Sequence, residues 1–364
     1  MINKSSINVK TIFLLTGAIL AFLIGAATAT GQEALQFFSA HGYYGVGSII
    51  VFTVLLGWSG ASIISLGYRK ENEVHSVYKY YLGNFLGTIF DWLLLLFLYG
   101  VVVTMLSGSG AVMNETFGLS YYVGSLVVGS LVFLTVILSL QRIIQILGWI
   151  GPILIVFLCI ISLVSIFKSF KGLSNLGQTL STVEAPSASG FWWLSGILYA
   201  SFAIVVAAPF FFSLGTGSKL ITNRKEATAS GISAAFAAML PISLMFMAIL
   251  ANIESVYDKA APLVYLAQNI HPYLPAVYAI IILLGVYSTV VPMLWLICDK
   301  IFQNHDKKYY KLFAAVLTVL ALAGGSVLPF GQLVGFLYPL MGFVGLILFL
   351  LIGYRQIIER LKKE

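Results

Sequence analysis

Long apolar stretches separated by short polar segments dominate the pattern of hydrophobic and polar positions along this chain. A helix needs about 20 predominantly apolar residues to cross the hydrocarbon core of a bilayer. By that criterion the pattern predicts about ten transmembrane helices, numbered here as spans 1 to 10. They lie near residues 11–41, 43–68, 82–108, 120–140, 145–167, 190–215, 229–252, 273–299, 311–329 and 331–354. We therefore predict an all-α integral membrane protein, with residues 1–364 in a single membrane domain.

The composition agrees with lipid as the solvent, since 60% of the residues are hydrophobic, 9% are charged and the mean hydropathy is +0.99. The 20 Lys and Arg outnumber the 13 Asp and Glu. When ten spans are drawn, every basic residue except Lys168, Lys171 and Lys259 falls on the side of the two termini. The positive-inside rule then places both termini in the cytoplasm of a multi-pass protein of the bacterial inner membrane. The basic excess is explained by topology, and no nucleic-acid partner is expected.

The N-terminal segment allows a second interpretation. Two lysines, an apolar run and Ala27-Thr28-Ala29 also match a cleavable signal peptide. Because nearly everything downstream is membrane-embedded as well, an ordinary first span is favoured.

Span 1 has an unusual pattern. Its continuous apolar part, Thr11–Ile24, has 14 residues and is too short to cross the membrane. It runs into GAATATGQE at residues 25–33, and we interpret the whole as two half-helices joined by unwound backbone. Irregular backbone at this depth is tolerated where it faces protein or a water-filled cavity.

Span 6 has a weaker version of the same pattern, because Pro209 ends the segment AIVVAAP at residues 203–209. The two candidate breaks start 178 residues apart (203 − 25), close to half the chain. This predicts an inverted five-plus-five repeat, with repeat 1 at about 8–168, repeat 2 at about 190–355, and discontinuous helices 1 and 6. The alternative is that Pro209 only kinks a continuous helix.

Glu33 lies just past the first break, at about the middle of the membrane. A charge at that depth costs at least about 2.5–3.5 kcal/mol and normally needs a partner. The ten spans contain no Lys or Arg near the midplane, so we expect a cation from outside the protein: sodium, a proton or a substrate ammonium. The alternative is a protonated or hydrogen-bonded Glu33 with a structural role. Asp91 is a weaker candidate, either a gate or an interfacial residue, and Glu115 is more typical of solvated structure.

The segment GAATATGQEALQFF at residues 25–38 resembles the YkvI-like family of bacterial membrane proteins. That family looks like a branch of the amino acid–polyamine–organocation superfamily, and the resemblance implies the LeuT-type five-plus-five inverted-repeat fold. It also implies a substrate pocket between helices 1, 3, 6 and 8, at the breaks. The expected substrate-binding residues are Ala26, Thr28, Thr30, Gly31, Gln32, Glu33, Tyr99, Tyr199, Ser201 and Phe202. An aromatic residue in a membrane helix more often serves packing, so that alternative stays open for Tyr99, Tyr199 and Phe202.

Sodium-coupled members of this fold bind the ion between unwound backbone in helix 1 and a small residue followed by two hydroxyls in helix 8. The sequence GVYSTVVP at residues 285–292 is similar in spacing. Hydroxyls and free carbonyls suit a hard cation. The resemblance thus implies a sodium site formed by Gly25, Thr28, Gly285, Ser288 and Thr289. Alternatively, the two hydroxyls bond back to their own helix. Sodium would be a coupling ion, and no resident cofactor is expected.

These observations predict a secondary active transporter of a small solute, such as an amino acid or related amine, coupled to sodium or protons by alternating access. An uncoupled exchanger or channel is the first alternative, although polarity concentrated at one depth is not typical of a channel. A non-transporting sensor or assembly protein with a transporter fold is another. Enzyme motifs such as His-Glu-x-x-His and Gly-x-Ser-x-Gly are missing from the sequence, so we expect no enzyme activity. The partners expected are a small-molecule substrate and the lipid bilayer; the sequence does not indicate an oligomeric state.

Overall fold

The computed structural model describes residues 7–69, 76–170, 172, 183–259, 261–302, 308–324 and 338–361. Within these ranges the secondary structure is helical, without a strand. Each predicted span coincides with helix. Span 1 comprises three short α-helices and a 3₁₀ turn: Val9–Leu23, Ala26–Thr30, Gln32–Phe37 and Ser39–Tyr44. Spans 2 to 10 are Gly45–Arg69, Asn84–Phe117, Tyr121–Val136, Leu140–Lys168, Trp192–Gly217, Arg224–Ala251, Leu274–Ile301, Lys308–Gly324 and Tyr338–Leu361.

Seven helical segments in the described part of the chain are long and apolar enough to cross a membrane. They belong to spans 2, 3, 5, 6, 7, 8 and 10. Val9–Leu23 and Tyr121–Val136 are apolar but shorter. A multi-pass membrane protein is therefore supported, while the count of ten stays a prediction. The predicted start of span 10 and the predicted end of span 9 lie outside the described residues.

The spans pack in two groups. Spans 1 and 2 pack against spans 6 and 7, while spans 3 and 4 pack against spans 8 and 9. Span 5 flanks span 1, and span 10 flanks span 6 in the same way. The two groups meet where span 1 and span 6 contact span 8. This arrangement places the irregular part of span 1 at the boundary between the groups, and the inverted relation of the two halves stays a prediction.

Glycine allows a close helix approach between spans 1 and 5. A Cβ added to Gly17 would lie 2.2 Å from the carbonyl oxygen of Gly148, and one added to Gly151 would lie 2.2 Å from the carbonyl oxygen of Gly17. In lipid, where burial of apolar surface gives helices little reason to associate, such close backbone packing is a main source of association energy. Span 1 is therefore held firmly against span 5 below its break.

The predicted interruption of span 6 is wrong, because Trp192–Gly217 is one continuous α-helix with Pro209 inside it. Proline lacks the N–H that would bond to the carbonyl four residues earlier, here that of Val205. That carbonyl instead accepts a hydrogen bond from the buried hydroxyl of Tyr78, in the short helix Val77–Leu82 between spans 2 and 3. A neighbouring side chain thus replaces the missing donor, as is common for proline in membrane helices.

Candidate functional site

The predicted break in span 1 is present. The helix Val9–Leu23 ends at Ile24, whose ψ is 75°, and Gly25 is extended with φ −83° and ψ −170°. A short helix follows at Ala26–Thr30. The chain changes direction a second time at Gly31, whose left-handed φ of 84° favours glycine. The first helix has 15 residues, so it rises about 22 Å and cannot cross a core of about 30 Å alone. The irregular segment consequently lies within the membrane.

Span 8 supplies hydroxyls to the backbone exposed by this break. The Ser288 hydroxyl donates to the carbonyl of Ala21 at 2.7 Å or to that of Gly285 at 3.1 Å. The Thr289 hydroxyl donates to the carbonyl of Phe22 at 3.1 Å. Both side chains are buried. Carbonyls and hydroxyls from the two spans therefore gather at one point inside the protein.

Gly25 and Gly285 allow the two spans to come this close. A Cβ on Gly25 would lie 3.1 Å from the Thr289 hydroxyl oxygen and 3.3 Å from the terminal methyl of Met105. A Cβ on Gly285 would lie 3.3 Å from the carbonyl oxygen of Ile24. Larger side chains at these two positions would push span 8 away from the break.

The carboxylate of Glu33 is buried, with 5% of the residue exposed. One of its oxygens, Oε2, accepts hydrogen bonds from the hydroxyls of Thr28 and Tyr199, each at 2.5 Å. Thr28 lies in the short helix after the break and Tyr199 lies in span 6. Glu33 thus joins the irregular segment of span 1 to the intact helix of span 6.

Aromatic rings surround the Tyr199 side chain. The ring centroids of Phe52, Phe37 and Phe38 lie 4.8, 4.9 and 5.3 Å from that of Tyr199. Such contacts fix the ring and direct its hydroxyl towards Glu33. The tyrosine is therefore a rigid donor to the carboxylate.

A cavity of about 50 Å³ adjoins the break. By the space that one water molecule needs, it has room for only a few of them. Spans 1, 2, 3, 6, 7, 8 and 10 all contribute to its wall. Its lining residues are Phe22, Leu23, Ile24, Gly25, Thr28, Glu33, Phe52, Phe97, Val101, Met105, Tyr199, Phe202, Ala203, Val206, Ala238, Pro241, Ile242, Thr289, Met293 and Tyr338. Within this described lining there is one carboxylate and no Lys, Arg or His.

Six of the residues expected from the sequence line this cavity. They are Gly25, Thr28, Glu33, Tyr199, Phe202 and Thr289. Ser288 and Gly285 lie beside it, at the contact between spans 1 and 8. The structure thus brings together residues that are up to 264 positions apart in the sequence (289 − 25).

The other expected residues lie elsewhere or are not described. The Tyr99 hydroxyl donates to the carbonyl of Leu317 in span 9, at 2.9 Å, and so faces away from the cavity. The buried Ser201 hydroxyl and the Oε1 atom of Gln32 have no hydrogen-bond partner among the described residues. The Thr30 hydroxyl bonds to the carbonyl of Ala27 at 3.0 Å. Gly31 packs on Leu263, and the side chain of Ala26 lies outside the described residues.

Several lining residues could not be found from the motif. Tyr338 at the start of span 10 stacks on Phe202, with ring centroids 3.9 Å apart. Met105 in span 3 and Met293 in span 8 also line the cavity. An isolated aromatic residue or methionine in an apolar helix gives no signal of a site, because packing uses the same residues.

A second polar cluster lies at the predicted cytoplasmic ends of spans 3 and 8. Asp91, only 8% exposed, accepts hydrogen bonds from the Lys300 ammonium and the Ser76 hydroxyl, both at 2.8 Å. The sequence left open a gate or an interfacial role for Asp91, and the structure pairs it with Lys300 of span 8. The side chain of Glu115 lies outside the described residues.

Comparison with known proteins supports the resemblance found in the sequence. No protein-family model matches the chain. Two Bacillus subtilis (strain 168) proteins are similar over most of their length. The uncharacterized membrane protein YkvI is 26% identical over 343 residues, covering 89% of this chain and 90% of YkvI. The uncharacterized protein YyaD is 25% identical over 349 residues, covering 94% and 96%. The resemblance to YkvI at residues 25–38 is thereby confirmed along the chain.

The solved structures identify the fold. The chain is similar to Mhp1, a nucleobase-cation-symport-1 family transporter, in a closed conformation with bromovinylhydantoin bound. The TM-score is 0.55 at 14% identity, covering 86% of this chain and 70% of Mhp1. For Mhp1 in its inward-facing conformation the TM-score is 0.54 at 16% identity, covering 93% and 75%. The chain therefore has the fold of Mhp1, a LeuT-like membrane transporter fold, while the five-plus-five repeat stays a prediction.

Proposed function

We propose that this chain, a relative of YkvI with the fold of Mhp1, is a secondary active transporter of an amino acid or related small amine. Transport is coupled to sodium or protons and proceeds by alternating access. The observation that carries the proposal is the buried Glu33 carboxylate, which faces a cavity without a basic residue in its described lining.

Electrostatics favour a positively charged group next to Glu33. A buried carboxylate without a cation is costly, and two hydroxyl donors on Oε2 offset only part of that cost. The faces of aromatic rings also attract an ammonium group, and Phe52, Tyr199, Phe202 and Tyr338 line the same cavity. A substrate ammonium would therefore bind between the carboxylate and these rings.

The size of the cavity fits a mechanism with a conformational change. About 50 Å³ is too small for an amino acid, so binding requires movement of the helices around the break. We place the cytoplasmic gate at two contacts: the Asp91–Lys300 ion pair and the hydrogen bond from Tyr78 to the carbonyl of Val205. Opening them would admit the cytoplasm to the cavity, as alternating access requires.

Sodium is the coupling ion that the oxygen atoms between spans 1 and 8 suit best. The hydroxyls of Ser288 and Thr289 touch the carbonyls of Ala21 and Phe22, and the carbonyl of Ile24 faces Gly285. Hard cations take ligand sets of this kind. A bound ion would replace the two hydroxyl-to-carbonyl hydrogen bonds and draw spans 1 and 8 together. The carbonyls differ from those expected near Gly25 and Thr28, because a helix that ends at Ile24 leaves the carbonyls of its last turn without helical partners.

A solute screen tests the function directly. Purified protein is heated in detergent with single amino acids and small amines, in sodium chloride or in choline chloride of equal ionic strength. We expect one class of amine-bearing solutes to raise the unfolding midpoint, and the rise to be larger in sodium. Uptake of that solute into proteoliposomes must then follow the sodium gradient.

Each rival function gives a different result. Uptake that ignores the ion gradients would indicate an exchanger or channel. Binding without uptake would indicate a sensor. Failure of every amine to bind, with binding of a neutral or anionic solute instead, would contradict the proposed role of Glu33.

The sodium site is tested by the double variant Ser288→Ala, Thr289→Ala. We expect the sodium concentration for half-maximal stabilisation or uptake to rise about tenfold or more, because two of the ligand oxygens are lost. The double variant Ser162→Ala, Ser165→Ala in span 5 is the control, since it also removes two buried hydroxyls from a span. An unchanged sodium dependence in the first variant would reject this site.

A further inference from the structure

A long groove runs along the lateral surface of the protein, away from the Glu33 cavity. Span 2 forms its floor, from Ile50 to Arg69, and span 7 forms one wall. Arg355 and Gln356 of span 10, with Tyr80 of the short helix Val77–Leu82, close the opposite wall at one end. The groove encloses about 730 Å³, which is within the range of small-molecule binding sites.

The groove changes from polar to apolar along its length. Four of the five lining residues on span 7 follow at intervals of four: Arg224, Thr228, Ile232 and Phe236. On span 2 the lining begins at Ile50, 19 residues before Arg69 (69 − 50), which corresponds to about 28 Å of helix. The length is therefore comparable to the bilayer core, and only one end is charged.

Three arginines stand at the polar end. Arg69 is the last residue of span 2, Arg224 is the first of span 7, and both are exposed. Arg355 in span 10 is also exposed and lies over the ring of Tyr80, with its guanidinium carbon 4.5 Å from the ring centroid. The described lining of the groove contains no Asp or Glu. Guanidinium groups match the geometry of phosphate oxygens, so this end suits a phosphate.

Neutral side chains fix the floor beside these arginines. The indole N–H of Trp58 donates to Oε1 of Gln356 at 3.0 Å, and Nε2 of Gln356 donates to the Ser62 hydroxyl at 2.6 Å. These bonds tie span 10 to span 2 along the floor of the groove. Span 10, which carries Arg355 next to Gln356, is thus fixed against span 2.

The apolar end distinguishes a lipid from a soluble phosphate. Ile50, Val54 and Phe236 lie in membrane spans and are 51%, 63% and 64% exposed at the surface of the protein. They continue the groove from the arginines into the hydrocarbon region, where a soluble anion has no contacts to make. An acyl chain would cover them.

We infer that this groove binds one anionic phospholipid of the predicted cytoplasmic leaflet. Its phosphate lies among Arg69, Arg224 and Arg355, and one acyl chain lies along spans 2 and 7. Basic pockets between membrane helices on the cytoplasmic side are suited to such head groups. The inference does not depend on the transported solute. The groove and the Glu33 cavity are formed by some of the same spans, but they are lined by different side chains.

The test uses the full chain, purified in detergent and examined by native mass spectrometry after addition of phosphatidylglycerol or phosphatidylcholine. We expect one phosphatidylglycerol to stay bound. The double variant Arg224→Gln, Arg355→Gln should lower its retention about tenfold or more, since each basic side chain contributes to binding an anionic lipid. The double variant Arg142→Gln, Lys308→Gln is the control. It removes the same charge from exposed positions at the ends of spans 5 and 9, and should retain the lipid.

A second variant keeps all three arginines and blocks the apolar end. Ile232→Trp, at a position that is 42% exposed, should also weaken retention, and it tests the groove even if the arginine variant does not fold. The inference is overturned if both groove variants retain phosphatidylglycerol like the unmodified protein, or if phosphatidylcholine is retained equally. It is also overturned if millimolar inorganic phosphate stabilises the protein against heat as strongly as phosphatidylglycerol does, because the ligand would then be a soluble phosphate.

Discussion

Spans 1 and 6 carry similar irregular sequences but have different structures. Span 1 is interrupted at Ile24 and Gly25 and turned again at Gly31, whereas span 6 is a continuous helix through Pro209. Both contribute to the same cavity, and Tyr199 of span 6 bonds directly to Glu33 of span 1. One irregular helix and one intact helix thus form the site.

The difference lies in how many backbone groups lose their partners. In span 6, Pro209 removes one donor, and the hydroxyl of Tyr78 replaces it at the carbonyl of Val205. In span 1 several carbonyls are released, and the hydroxyls of Ser288 and Thr289 come from another span to meet them. In both spans a second helix supplies the missing partners, but the single donor lost at Pro209 does not interrupt span 6.

The largest effect on stability is expected at Gly31. Its φ of 84° is unfavourable for any side chain, and an added Cβ would lie 2.7 Å from Cγ of Leu263. Gly31→Ala should therefore destabilise the protein by about 2–4 kcal/mol and lower the unfolding midpoint by several degrees. Gly100→Ala in span 3 is the control, because no atom lies within 4 Å of its added Cβ and φ is ordinary. Equal midpoints for the two variants would show that the turn at Gly31 is not required.

A smaller effect is expected from Tyr78→Phe, which leaves the buried carbonyl of Val205 without its donor. The cost should be about 1–3 kcal/mol. The same substitution in a Pro209→Ala background should cost clearly less, because an alanine at this position restores the helical N–H. Thermal unfolding of the four proteins gives the coupling between the two sites. If the costs were equal in both backgrounds, Tyr78 would not be the substitute donor.

The smallest effect is expected from Pro209→Ala alone. Span 6 is already continuous, so the substitution should change stability by less than about 1 kcal/mol. Solute binding should be unchanged, since Pro209 does not belong to the described cavity lining. A large loss of binding would mean that span 6 unwinds at Pro209 during transport.

The sequence was sufficient for the membrane class, the approximate positions of the long helices and the break in span 1. These depend on local patterns: apolar length, a run of Gly, Ala and Thr, and an acid among apolar residues. The intact helix at Pro209 depends on Tyr78, which is 131 residues away (209 − 78), and local pattern does not contain that contact. Tyr338 lines the cavity, and the hydroxyl of Tyr99 faces away from it. Both positions also depend on packing between distant parts of the chain. Local chemistry therefore located the centre of the site but not its whole wall.

The most direct test of the account is transport by Glu33→Gln. The glutamine keeps the size of the side chain and can still bond to Thr28 and Tyr199, but it carries no charge. Using the amine identified in the solute screen, we predict that ion-coupled uptake into proteoliposomes falls about tenfold or more, as a charge-assisted bond is lost. Glu254→Gln, which neutralises an exposed acid, should transport normally. Normal coupled uptake by a folded Glu33→Gln variant would contradict the account.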